Sequence, residues 1–440
     1  MTLIDKKMAR FNILSYFNML KRNRFVLDFF TIFSGSLVAQ LVSIAASPFL
    51  SRIFSPEQFG VYALYLSIVT IIGAISSWQY SNAILLPKKN KDAKNIIYLS
   101  EFIIIGMSLL SLALVSIFRN FASQQLNSPS LALWLWFAPL SIFLMGNYEV
   151  LNSWCIRKKR FKLTAASAVI TSSTKNGVSL SSGMLLNPGV GGLVWGQIAG
   201  QLTAVFFLFK KTCMQICNFS KDKISLAEIR LISRRYSKFP KFQTWATLAN
   251  KVAVQVPAIM LAHFFSTQIA GFYFLGNKLL AIPIINIGTS VGKIFFQRAS
   301  EAKNTKGNFK IILRKTVLGL FFVGIVPFLI IGLFGPQIFS FIFGNMWYEA
   351  GVYAQILSPL FLITFVVSPI STSLLVSEKQ EFNLILQTFY LIAVAAVFYI
   401  GGSYNNIKLT LSLYVVAASI RYFIELFFCF KFASRQSQIK

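Results

Sequence analysis

Four cations stand where an apolar chain should exclude them. Lys175, Lys251, Lys278 and Arg421 each fall within a run long and apolar enough to cross a bilayer. Each lies roughly eight to twelve residues from the nearer end of its run, about 12–18 Å deep at 1.5 Å per residue, beyond easy reach of the headgroups. A charge at the middle of a helix in lipid costs about 2.5–3.5 kcal/mol even on the lenient insertion scale, so residues of this kind face a protein or water-filled interior. Acids at comparable depth are fewer: Glu149, Glu425 and, at the entry of the first run, Asp28. Arg421 and Glu425 are four apart on one helical face and can neutralise each other. Lys175, Lys251 and Lys278 have no such neighbour. Polar residues surround them: Thr171, Ser172, Ser173, Thr174, Asn176 and Ser179; Asn250 and Gln255; Asn277 and Asn286. The chemistry this set points to is electrostatic binding of an anionic substrate in a polar, positive cavity. In the competing reading each lysine pairs with Glu149, a backbone carbonyl or a lipid phosphate. Glu149 and Glu425 are also candidates for coupling to a proton or sodium gradient.

Catalytic patterns are missing. No G-x-x-x-x-G-K-[ST] loop occurs, and the glycines of 189–200 follow no strand, so neither phosphate-loop nor dinucleotide chemistry is expected. Cys155, Cys213, Cys217 and Cys429 fall at one membrane face and the single histidine, His263, at the other, so no metal site and no cofactor is expected. Asn218-Phe-Ser220 matches a glycosylation acceptor but falls on the cytoplasmic side.

The elements that must position these cations are membrane helices. The chain has 440 residues, of which 55% are apolar and 12% charged, against about 25% charged in soluble proteins. Apolar windows near 29–49, 60–83, 96–118, 131–154, 163–186, 190–209, 243–264, 270–291, 316–335, 352–376, 382–400 and 409–430 predict about twelve transmembrane helices. The net charge of +29 would suggest nucleic acid in a soluble protein, but its distribution excludes that partner. Thirty-five Lys and Arg lie in alternate connections and at the termini, whereas only Arg52, Arg119 and Lys408 lie on the opposite side. The positive-inside rule then puts both termini in the cytoplasm.

A fifteen-residue elbow supplies the architecture. Leu50 to Leu64 returns 211 residues later as Leu261 to Leu275, with Leu50/Leu261, Phe54/Phe265, Ser55/Ser266, Gly60/Gly271, Tyr62/Tyr273 and Leu64/Leu275 identical. The alignment extends into the flanking spans, setting Gln40 against Lys251 and Ser67 against Lys278. The expected fold is an all-α polytopic membrane protein of two six-helix lobes, repeated in parallel, with a substrate site between them. Its divisions are a basic leader over 1–28, lobes over 29–209 and 242–430, a basic linker over 210–241 and a tail over 431–440. The linker alternates cations with Ile224, Leu226, Ile229 and Leu231, and reads either as an amphipathic segment on the anionic inner leaflet or as a solvated connection. Gly192, Gly196 and Gly200 make a small face suited to close helix packing.

Three stretches carry a family resemblance: S-R-I-F-S-P-E-Q-F-G-V-Y at the first elbow, G-F-Y-F-L-G-N-K-L-L-A-I-P-I-I-N-I-G from Gly271, and K-I-F-F-Q-R-A-S-E-A from Lys293. The chain resembles polysaccharide exporters of the O-antigen flippase (Wzx) type, in the superfamily of multidrug/toxic-compound extruders and the lipid II flippase. The resemblance implies a bacterial inner-membrane carrier, not an enzyme. It would move an undecaprenyl-diphosphate-linked oligosaccharide of O-antigen or capsule type from the cytoplasmic to the outer leaflet, with membrane lipids, a polysaccharide polymerase and a chain-length regulator as candidate partners. Lys278 falls within a matched stretch; Lys175, Lys251 and Arg421 rest on the burial argument. The alternatives are a drug extruder, which would be expected to carry mid-helix carboxylates where this chain has lysines, and a polysaccharide-assembly enzyme, which should show a large outward loop with clustered Arg, Asp or His. A scaffold protein is a third, against which the unpaired lysines argue.

Overall fold

A computed structural model describes residues 24–185, 189–216, 226–306, 308–377 and 380–433. The basic leader up to residue 23, most of the tail and the middle of the linker, including Ile224 and Cys217, lie outside the described residues. Among those described, fourteen helices have ten or more residues and no strand occurs. The first half holds α1 (Arg24–Ile53), α2 (Pro56–Gly73), α3 (Asn90–Gln125), α4 (Ala138–Arg157), α5 (Phe161–Leu185) and α6 (Val190–Ile216). A linker helix, α7 (Leu226–Arg235), follows. The second half holds α8 (Thr244–Phe264), α9 (Thr267–Pro283), α10 (Thr289–Lys306), α11 (Lys310–Phe343), α12 (Tyr348–Ile370), α13 (Gln380–Ser403) and α14 (Ile407–Ala433).

Nine stretches among the described residues are long and apolar enough to cross a membrane. They include α1, α3, α4, α6, α11, α12, α13 and α14, with α9 and α10 joined as one through a π-helical turn at Ile284–Gly288. The chain is therefore a multi-pass membrane protein. Helices α2, α5 and α8 fall outside that set, and two of them carry Lys175 and Lys251. Lys175 on α5, Lys251 on α8 and the Pro-Glu-Gln start of the short α2 lower the hydropathy of these three.

Two expected spans are broken. The window 60–83 ends as helix at Gly73, passes through three-residue turns, and changes hand at Trp78 and Gln79, whose φ is positive (46° and 60°). Gln79 turns its amide back to donate to the Ala74 carbonyl at 2.6 Å, satisfying an oxygen the helix has released. The window 352–376 likewise ends at Ile370, with one further turn at Ser373–Val376.

The two lobes repeat one packing scheme. In the first, α1 lies on α5, α5 on α6, α3 on α4, α4 on α6 and α2 on α4. In the second, α8 lies on α13, α13 on α14, α11 on α12, α12 on α14 and α9 on α12, which are the same five neighbours after the duplication. The small face of α6 serves this packing: Gly192, Gly196 and Gly200 sit against Ser182, Ser179 and the Lys175 and Thr171 carbonyls of α5.

The elbows set the corner of each lobe. Ser55 caps α2, accepting from Gln58 N while the Gln58 side chain accepts from Ser55 N at 2.9 Å, and Pro56 occupies the first helical position. Ser266 caps α9 in the aligned place, accepting from Ile269 N. The repeated serine is thus a repeated helix start. Between the corners the lobes meet in a dry cluster. Trp347 is fully buried, packs edge-on against Phe59 with centroids 5.1 Å apart, and donates its indole N–H to the Ser51 carbonyl at 2.8 Å. Asn127 donates to the Ala262 and His263 carbonyls, and Thr267 to the Asn127 carbonyl at 2.9 Å. The elbow end is closed by direct backbone and aromatic contact between the lobes.

At the linker end, cations cap released carbonyls. Arg157 donates to the Ile84 carbonyl and Arg160 to that of Lys211, at the end of α6, a placement the helix dipole favours. The linker helix α7 docks there: Ile232 enters the apolar cluster around Ile84 and Trp154, and Glu228 accepts from Lys91 at 2.6 Å and from Asn95 at 3.0 Å.

Candidate functional site

Helix α5 presents Lys175 at the margin of the face that packs on α1 and α6. Ser172 donates to the Ala39 carbonyl at 2.5 Å and lies 2.9 Å from Ser43 Oγ, and Asn176 reaches the same Ser43. These bonds fasten α5 to α1 and account for much of the polarity that surrounds Lys175 in sequence. The Lys175 ammonium sits over the Tyr62 ring, 5.5 Å from its centroid, and the Tyr62 hydroxyl donates to Gln197 at 3.1 Å. Cation, ring and amide come from α5, α2 and α6.

Lys278 reaches the same region from the other lobe. Its ammonium donates to Ser47 Oγ of α1 at 3.3 Å and lies within electrostatic reach of Lys175. Neither ammonium has a carboxylate at ion-pair distance among the described residues. Two further bonds line the seam between lobes: Ser67 donates to Gln255 at 3.0 Å, and Asn286 donates to Gln40. The structure therefore brings Lys175 and Lys278 together across the seam.

It places the other two cations elsewhere. Lys251, on α8, is half-buried within electrostatic reach of Glu149 on α4. Arg421, on α14, forms an ion pair with Glu425 at 3.2 Å and lies between the rings of Tyr390 and Tyr422, 5.2 and 4.5 Å from their centroids. Glu425 is 2% exposed and Arg421 leaves its Nε without a hydrogen bond, a costly arrangement that packing must offset. The pair belongs to a cavity of about 810 Å³ inside the second lobe, walled by α8, α9, α12, α13 and α14. The side chain of Asp28 lies outside the described residues. Glu101, half-buried on α3, is a carboxylate that the sequence reading passed over.

No three His, Cys, Asp or Glu side chains converge among the described residues. His263 uses Nδ1 on the Gln125 carbonyl at the elbow end, 2.5 Å away.

Sequence reasoning missed Tyr62, Ser47 and the tyrosine set Tyr273, Tyr390, Tyr414 and Tyr422. A signal for the last existed. Tyr414, Ala418, Arg421, Tyr422 and Glu425 recur at helical spacing on one face of α14, but an aromatic stripe in a membrane helix reads equally well as lipid-facing.

Helices in two lobes of like packing, meeting at one end and carrying cations at the seam, define a polytopic all-α membrane fold. Solved structures agree. A multidrug-resistance MATE family transporter of the MOP superfamily, in an inward-facing conformation, superposes with a TM-score of 0.71 at 12% identity, covering 92% of this chain and 99% of that one. The lipid II flippase MurJ, in an inward closed conformation, superposes with a TM-score of 0.67 at 16% identity, covering 92% and 87%. Residues 49–352 match the family described as polysaccharide biosynthesis protein, and the chain belongs to that family. Among curated relatives, the succinoglycan biosynthesis transport protein ExoT of Rhizobium meliloti (strain 1021) is 23% identical over 238 residues, 54% of this chain and 46% of that protein. The lipopolysaccharide biosynthesis protein WzxC of Escherichia coli (strain K12) is 20% identical over 370 residues, 80% of this chain and 70% of that protein. The matched region thus spans about half the length of the first relative and over two thirds of the second.

Proposed function

We propose that this chain carries an undecaprenyl-diphosphate-linked oligosaccharide from the cytoplasmic to the outer leaflet of a bacterial inner membrane, with both termini cytoplasmic. The observation that carries this reading is that Lys175 and Lys278 reach the seam between the lobes within electrostatic range of each other, with no carboxylate at ion-pair distance among the described residues. Two unneutralised ammoniums in a low-dielectric interior attract an anion strongly, and a diphosphate suits them. Sugars require a wet path, which the seam amides offer, while the polyprenyl tail stays in lipid. The names of ExoT and WzxC, a transport protein and a lipopolysaccharide biosynthesis protein, support the assignment.

In this scheme the lobes span 29–209 and 242–430, joined by the basic 210–241 linker, and work by alternating access with the elbow end outward and closed. Lys251 and Arg421 join the substrate path in other stages of the cycle, and Glu149 and Glu425 are the candidates for ion coupling. The polymerase and chain-length regulator would receive the product. We read the chain as a carrier and not an enzyme. The drug-extruder reading is weakened by the seam itself, since two ammoniums repel a cationic drug.

The test is reconstitution. Purified chain in proteoliposomes containing lipid-linked oligosaccharide should make the inner-leaflet pool accessible to an added glycosidase. No acceleration over empty liposomes would refute the assignment.

A further inference from the structure

The seam lysines answer the diphosphate, yet the largest part of such a substrate is uncharged. Helix α9 separates two chemically distinct regions. Lys278 points across the seam toward Ser47, while its neighbour Asn277, with Tyr273 and Ala281, lines the 810 Å³ cavity of the second lobe. That volume falls within the ~300–1,000 Å³ usual for ligand sites.

The lining of this cavity is unusual for a membrane interior. Planar amides come from Gln243 and Asn250 on the α8 side, Asn277 on α9 and Gln387 on α13, and the Gln387 amide donates to Asn250 at 3.3 Å. Tyr273, Tyr390, Tyr414 and Tyr422 supply rings, with Tyr390 donating to Tyr414 at 3.4 Å. Among the described residues of the lining, Arg421 and Glu425 carry charge, and they neutralise each other. An anion finds no unbalanced cation there, and a cation finds no unbalanced carboxylate. A polyprenyl chain would leave the amides and hydroxyls unpaired, at a cost the interior does not forgive. A saccharide meets every condition. Each hydroxyl both donates and accepts, as an amide does, and the C–H face of a pyranose ring fits flat against an aromatic ring.

We propose that this second-lobe cavity is a saccharide subsite, distinct from the lysine seam, that binds the neutral sugars of the carried oligosaccharide. The inference rests on the carrier reading above. Asn277 and Gln387 are the specificity-determining residues, presented from opposite walls. In this conformation the Arg421–Glu425 pair holds the Tyr390 and Tyr422 rings as a platform. Substrate recognition is then divided between the seam, which reads the diphosphate, and the second lobe, which reads the sugars.

The experiment uses the full chain in nanodiscs with two probes. One is farnesyl diphosphate, which carries no sugar; the other is the free oligosaccharide released by mild acid from the surface polysaccharide of the producing strain. Asn277→Ala with Gln387→Ala should weaken oligosaccharide binding by about tenfold, the loss of two hydrogen-bonding amides from the site, and leave farnesyl diphosphate binding within about twofold. Lys175→Ala with Lys278→Ala should do the reverse. Because the amide variant must retain farnesyl diphosphate binding, misfolding cannot mimic the expected result. Oligosaccharide binding that survives the amide variant, or that falls only with the lysines, overturns the inference. Wild-type chain that binds farnesyl diphosphate but not the oligosaccharide also overturns it while leaving the carrier reading standing. Binding of neither probe, with normal surface polysaccharide in a deletion strain, removes the carrier reading itself.

Discussion

Gly60 and Gly271 each yield their side-chain space to the first carbonyl of the other's helix. A Cβ on Gly60 would run into the Thr267 carbonyl oxygen, and one on Gly271 into the Pro56 carbonyl oxygen. Pro56 and Thr267 are themselves aligned in the two elbows, as are the two glycines, so the contact is reciprocal about a pseudo-twofold axis. Two helix starts cross here at backbone distance, a geometry that only glycine permits.

Alanine at either position should therefore have nearly equal effects. Gly60→Ala or Gly271→Ala should lower stability by about 1–3 kcal/mol, the usual cost of overpacking, read as a reduced melting temperature in detergent. Gly319→Ala, where an added Cβ meets nothing within 4 Å, should be neutral or slightly stabilising. Unequal effects at the two elbow glycines would contradict the reciprocal crossing.

The caps are a second paired test. Ser55→Ala and Ser266→Ala should each cost about 1 kcal/mol, because each removes the one hydroxyl that accepts from a first-turn N–H, while the Ser55 N–H keeps its bond to the Gln58 side chain. Parallel melting curves of the two variants check that the losses match.

The seam lysines should oppose stability. Lys175 and Lys278 are like charges with no acid partner among the described residues, so Lys175→Met should raise the melting temperature while impairing transport. A destabilised Lys175→Met with intact export would show a purely structural lysine.

At the linker end, Glu228→Gln removes an exposed ion pair to Lys91. Such pairs contribute about 0–1 kcal/mol, so global stability should hardly change. Limited proteolysis should nevertheless cut sooner near α7, since the same carboxylate also holds Asn95.

Much of this was legible in the residues. The elbow repeat announced the duplication, and Ser55/Ser266 and Gly60/Gly271 prove to be the cap and the crossing for which such residues are suited. The intramembrane cations stood out because lipid excludes charge. Their grouping did not, since helical spacing fixes a face but not the partner that face meets. Only packing shows that Lys175 and Lys278 share a seam, whereas the four-residue spacing of Arg421 and Glu425 already offered their pair. The breaks after Gly73 and Ile370 were hidden for a related reason. The apolar windows run through them, and left-handed Trp78 and Gln79 are stabilised by a side-chain bond that hydropathy cannot register.

The central claim is that a positive seam carries a lipid-linked oligosaccharide. It is tested most directly by replacing Lys175, Lys251 and Lys278 together with Ala in the producing strain and measuring surface polysaccharide at matched protein levels. The account predicts a near-complete loss of surface polymer, with lipid-linked oligosaccharide accumulating on the cytoplasmic leaflet. Normal surface polymer from the triple variant would contradict it.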